Sequence, residues 1–149
     1  MTTGNAIETK VVVDAHRLLD QAIRIADDGD LVADRAERYR LYYLAALRTA
    51  GAALAVLESR RRAPRGQRNA WVRLGAQGST APESGVERFA DFFAAHSVVR
   101  QRIETGLVHD VEQAAVARLR VGLTDFIATT ESILADYEQG KASSESRTA

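Results

Sequence analysis

No cysteine occurs in this chain of 149 residues. That excludes disulfides, thiolate metal sites and a cysteine nucleophile, and it fits a reducing compartment. Net charge is missing as well: 20 basic residues balance 20 acidic ones, so the whole molecule offers no argument for nucleic acid or an acidic membrane. Any such argument has to be local. No run approaches the roughly 18 uninterrupted apolar residues of a membrane span. Nothing near the N-terminus joins a basic segment to a long apolar one, and Val11 to Val13 is too short for a signal peptide. The expectation is a cytoplasmic protein without membrane contact. Also missing are Glu-x-x-His pairs, a Gly-x-Ser-x-Gly elbow, a Gly-x-x-x-x-Gly-Lys loop and a Gly-x-Gly-x-x-Gly turn. His16 and Asp20, one turn apart, supply only half a metal site. No metal and no cofactor is therefore expected.

What is present is helical period. From Glu37 to Leu57, the residues Tyr39, Tyr43, Ala46, Ala50, Ala53 or Leu54, and Leu57 recur at three- and four-residue steps on one side of a helix. Ala45, Ala46, Thr49, Ala50, Gly51, Ala52 and Ala53 keep that helix thin, so another helix can lie close against it. A first helix is expected over Asn5 to Asp27, with Val12, His16, Leu19, Ile23 and Ala26 on one face and Gly29 as its stop. The second is expected to start near Asp30 and reach Arg61. Asn69 can cap a short helix carrying Trp71 and Leu74. The small, polar stretch Ala76 to Gly85, with Pro82, reads as a surface loop. Ser84 and Glu87 have capping-box spacing, and Phe89, Phe92, Phe93, His96, Val99 and Ile103 then share a face as far as Gly106. Asp110 and Gln113 can cap a last helix bearing Val116, Leu119, Leu123, Phe126 or Ile127, Thr130, Ile133 or Leu134, and Tyr137. After Gly140 no apolar residue is larger than alanine, so 140–149 is expected to be a disordered tail behind a domain spanning 5–139. These elements predict an all-α fold, an antiparallel bundle of four main helices plus one short helix.

Charge is uneven in one place. Arg60, Arg61, Arg62, Arg65, Arg68 and Arg73 stand without an intervening acid, interrupted by Pro64 and Gly66. With Trp71 alongside, a basic track meets a flat stacking surface, the combination used on single-stranded RNA or DNA. The bland alternative is a solvated arginine loop with Trp71 and Leu74 plugging the bundle. His96, on the aromatic stripe, reads as a core or interface histidine with a bonded ring nitrogen.

The segments ERYRLYYLAALRTAGAALAVLESR (37–60), NAWVRL (69–74) and APESGVERFADFFAAHSVVRQRIETG (81–106) resemble the HEPN superfamily, and within it the short actinobacterial SAV-type HEPN proteins. The resemblance implies a helical bundle that pairs as a homodimer, and family members that bind RNA or cleave it without metal. Active members carry an Arg-x4-6-His motif, in which arginine holds the scissile phosphate and histidine moves a proton. In this sequence the one pair that fits is Arg102 and His109. A second place, Arg38 to Tyr43, has tyrosine where the motif needs histidine. The leading expectation is a non-catalytic module associated with nucleic acid or with a protein partner. The alternatives are a metal-independent ribonuclease using Arg102 and His109, and a structural subunit of a DNA replication or repair assembly whose partner helix docks on the small-residue face of the second helix.

Overall fold

The computed structural model describes residues 2–62 and 66–148, with the side chains of 2–7 and 141–148 left aside. Five α-helices and one 3-10 turn follow one another: α1 (Thr2–Asp30), α2 (Arg35–Arg60), α3 (Ala70–Thr80), the 3-10 turn (Pro82–Ser84), α4 (Glu87–Glu104) and α5 (Gln113–Thr148). No strand occurs among the described residues. The fold is the all-α bundle expected, with four main helices and the short α3.

The alanine and glycine content of α2 decides the packing. Ala45, Ala46, Thr49, Ala50, Ala52 and Ala53 are all fully buried, and α1 lies along α2 as the most extensive helix pair of the molecule. A β-carbon on Gly51 would stand 3.2 Å from a Leu18 methyl, which shows how closely the two backbones approach. A connection of four residues between helices packed along their length makes them an antiparallel hairpin. α2 is long and apolar enough to cross a bilayer, but most of it is enclosed by its neighbours, as a core helix requires. The small-residue face is therefore filled by the chain's own α1, and the partner helix expected there has no opening. α1 turns Ala15, Leu19, Ala22 and Ala26 inward rather than the stripe through His16 and Ile23, because alanines allow the closer seat.

Several boundaries differ from the sequence expectation, each for a local reason. Asp30 is the last residue of α1, and Asp34 caps α2 by accepting from the Glu37 amide at 3.0 Å. Gly29 does not stop α1; a β-carbon there would come within 2.8 Å of the Tyr42 ring, so it makes room for that ring. The expected loop from Ala76 is helix as far as Thr80, with Gln77 and Gly78 buried. Gly78 lies against the Glu87 backbone, where any β-carbon would be within 2.8 Å of the Glu87 nitrogen. Ser84 forms no capping box: its hydroxyl donates to the Ala81 carbonyl at 2.7 Å, and α4 starts from Val86 without a side-chain cap. Asp110 likewise does not cap α5, since its carboxylate is taken by Arg35. Asn69 does cap α3, accepting from the Trp71 and Val72 amides. α5 continues past Gly140, which keeps negative φ, into residues compatible with helix.

The core sits where α2, α3, α4 and α5 meet. Trp71 stacks on Phe93 with centroids 5.1 Å apart, Phe93 lies 5.3 Å from Phe126, and Phe126 stacks on Phe89 at 4.9 Å. Burying each such ring contributes on the order of 2 kcal/mol. Along the expected α5 stripe Val116, Leu119, Leu123, Phe126, Ile127, Thr130, Leu134 and Tyr137 are buried and Ile133 is half-buried; the Thr130 hydroxyl lacks a partner in the described structure.

Candidate functional site

Arg102 and His109 flank the α4 to α5 turn. Gly106 adopts φ +79°, a left-handed conformation that favours glycine, and the Leu107 and Val108 amides both donate to the Arg102 carbonyl, at 2.9 and 3.1 Å. The arginine backbone thus anchors the turn that carries His109. Both side chains are exposed, and among the described residues neither makes a hydrogen bond or ion pair. The charge of the adjacent Asp110 is compensated: Arg35 donates to its two oxygens at 3.0 and 2.5 Å. That pairing, with the Val111 amide, holds the Asp110 carboxyl below its usual range.

The second motif position is structural. Arg38 donates twice to the Val32 carbonyl, at 2.9 and 2.7 Å, fastening the α1 to α2 connection; it makes no pair with Asp34. Tyr43 is buried and its hydroxyl accepts from the Trp71 indole N–H at 2.8 Å.

That bond, with the Phe93 stack, withdraws Trp71 from the basic track. At 5% exposure its ring has no face to offer a base, so the expected stacking surface is corrected to a core plug. Arg73 is also committed, donating through two nitrogens to both oxygens of Glu58. Arg60 lies over the Tyr137 ring at 4.9 Å. The Arg61 backbone closes α2, its carbonyl accepting from Gln77 at 2.8 Å, while its side chain and those of Arg62 and Arg68 are exposed. Arg65 lies outside the described residues. The acids Glu83 and Asp136 share a cavity with Arg60 and Arg61, which lowers the attraction of that corner for phosphate.

His96 has a bonded ring nitrogen, as expected. Its Nδ1 lies 2.5 Å from the Tyr39 hydroxyl. Burial pushes the Tyr39 phenol up to about 12, so the hydroxyl keeps its proton. Burial first, and the positive charge of Arg118 second, hold the imidazole below its ordinary value. His16 is exposed, with Nε2 2.6 Å from Glu138 on α5. Among the described residues no group of three or more His, Cys, Asp or Glu side chains could hold a metal ion.

Sequence reasoning missed a trough between α4 and α5. α4 packs chiefly on α3 and only sparsely on α5, which leaves an open channel of about 520 Å³ floored by Phe89, Phe92, Ala117 and Val121. Phe92 leans so far over α5 that a β-carbon on Gly122 would overlap its ring. Arg88, Arg118 and Asp125 line the margins. The signal in the sequence was Gly122 inside a helical stripe, together with Val98 and Val121 on outward positions, 51% and 63% exposed.

A sequence profile of the SAV_6107-like HEPN family matches residues 30–131. No curated protein and no solved structure matches the chain.

Proposed function

The chain belongs to the SAV_6107-like HEPN family, and from that premise we propose that it is a non-catalytic HEPN module whose work is to hold a protein partner. The observation that carries this reading is the contrast between two places. Around Arg102 and His109, phosphate-holding and proton-moving side chains stand in open solvent, with no described group orienting either of them. Catalysis by such a pair needs both held on one reacting phosphate. Between α4 and α5, by contrast, an apolar surface is formed and left uncovered, and a surface of that kind is an interaction site. A cytoplasmic homodimer is the setting we assign to it.

A nucleic-acid role through Arg61, Arg62 and Arg68 is the second reading, favoured by their exposure and weakened by the burial of Trp71 and the Arg73–Glu58 pair. The metal-independent ribonuclease stands third; the neutralised Asp110 speaks for it. One experiment separates it from the proposal. Wild type, Arg102→Ala and His109→Ala are incubated with a mixed-sequence RNA in chelator. The expected result is no cleavage that depends on His109, and cleavage by wild type lost in His109→Ala overturns the proposal. Binding of single-stranded RNA that falls steeply with salt would move the second reading ahead.

A further inference from the structure

We infer that the α4/α5 trough is the seat of an amphipathic helix from a partner protein, one with acidic residues along the margins of its apolar stripe. This rests on the reading above that the chain works by holding a protein.

Three observations converge on that occupant. The first is shape. Arg88 and Phe92 on α4, and Ala117, Val121 and Asp125 on α5, are spaced by helical turns, so the trough runs for about two turns, roughly 11 Å, along α5 and for about one turn along α4. A channel between two helices is the groove into which the ridge of a third helix packs.

The second is chemistry. Phe89, Phe92, Ala117 and Val121 give an apolar floor, and Ala94, Ala95 and Val98 extend apolar surface along the outer side of α4. Leucine or alanine side chains on successive turns find a matching surface on that floor.

The third is charge. Arg17, Arg35, Arg40, Arg73, Arg100 and Arg120 each lie against a carboxylate. Arg88 and Arg118, on opposite walls of the trough, make no ion pair among the described residues; Arg88 rests on the Phe89 ring at 4.1 Å. With Asp125 as the one carboxylate in the lining, the margins carry a net positive charge. A second copy docked about a twofold axis would set this same positive face against itself. A helix bearing Glu or Asp beside its apolar stripe is complementary instead, and its approach would be steered by those charges.

The test uses the full chain and two synthetic probes read by fluorescence anisotropy. One is a labelled helical peptide of about 18 residues, with a leucine and alanine stripe flanked by glutamate; its twin carries lysine at the flanks. The glutamate peptide is expected to bind about tenfold or more tightly than the lysine twin, and to weaken with salt. The double variant Arg88→Ala/Arg118→Ala should lose about tenfold in affinity, and Val121→Glu should lose binding altogether. All three positions are exposed, so circular dichroism of the variants should match wild type. Absent binding, equal binding of the two peptides, insensitivity to Val121→Glu, or displacement of the peptide by single-stranded RNA overturns the inference. If the peptide fails while no His109-dependent cleavage is seen, only this inference falls; such cleavage strikes the underlying reading whatever the peptide does.

Discussion

A phenol pushed up to about 12 and an imidazole held below its ordinary value leave Tyr39 and His96 both uncharged at neutral pH. The hydrogen bond between hydroxyl and ring ties α4 to α2. Because the folded-state value lies below the unfolded one, His96 contributes full stability above 6.5, its ordinary value. As pH falls through 6.5 the unfolded chain takes the proton first, and the contribution shrinks until pH passes below the folded value. Wild type should therefore lose urea resistance as pH falls through 6.5, and His96→Gln, a hydrogen-bonding side chain that does not titrate, should have a flatter profile there. Parallel profiles would assign the loss to another group. Single residues were also where the sequence was least legible. Trp71 followed an arginine run and looked like a stacking platform, yet its neighbours in space, Tyr43 and Phe93, lie 28 positions before it on α2 and on α4. Arg73 looked unpaired because its carboxylate, Glu58, sits across the α2 to α3 joint. Local charge counting cannot see a partner supplied by a chain reversal.

Helices were more legible inside than at their ends. The stripes of α2 and α5 are buried nearly position for position, since a 3.6-residue period needs only the residues of the helix itself. Ends are decided by competition. Ser84 could cap a helix or bond backward to Ala81, and Pro82 tipped it to the second by opening a 3-10 turn. Asp30 could cap α2 but is drawn instead into a joint where the Arg120 guanidinium donates to both its oxygens and the Tyr42 hydroxyl to one, which together hold its carboxyl low. The small residues of α2 also make a prediction. Ala50→Leu should cost about 1–3 kcal/mol of stability, because Ala50 is fully buried and the added methylenes meet a filled seam. A chemical denaturation midpoint unchanged from wild type would show that the seam has room.

For the molecule as a whole, the class of fold followed from period and composition, while the trough did not. It is a gap between two helices 30 positions apart, Phe92 and Gly122, and exists only because α4 leans on α3. Arg102 and His109, chosen by spacing, stand as neighbours of a turn, and their exposure is something that spacing never encodes.

The profile match begins at residue 30, just where α1 gives way, so the helix that lids the alanine seam lies outside the matched stretch. Cut to residues 30–149, the molecule would bare a narrow, greasy slot already shaped for a backbone. Such a remnant should borrow cover from a sister chain or collect into larger clusters, visible as at least a doubled mass in light scattering. A well-behaved single-chain remnant would mean that α1 is an ornament, and that the slot can close by itself.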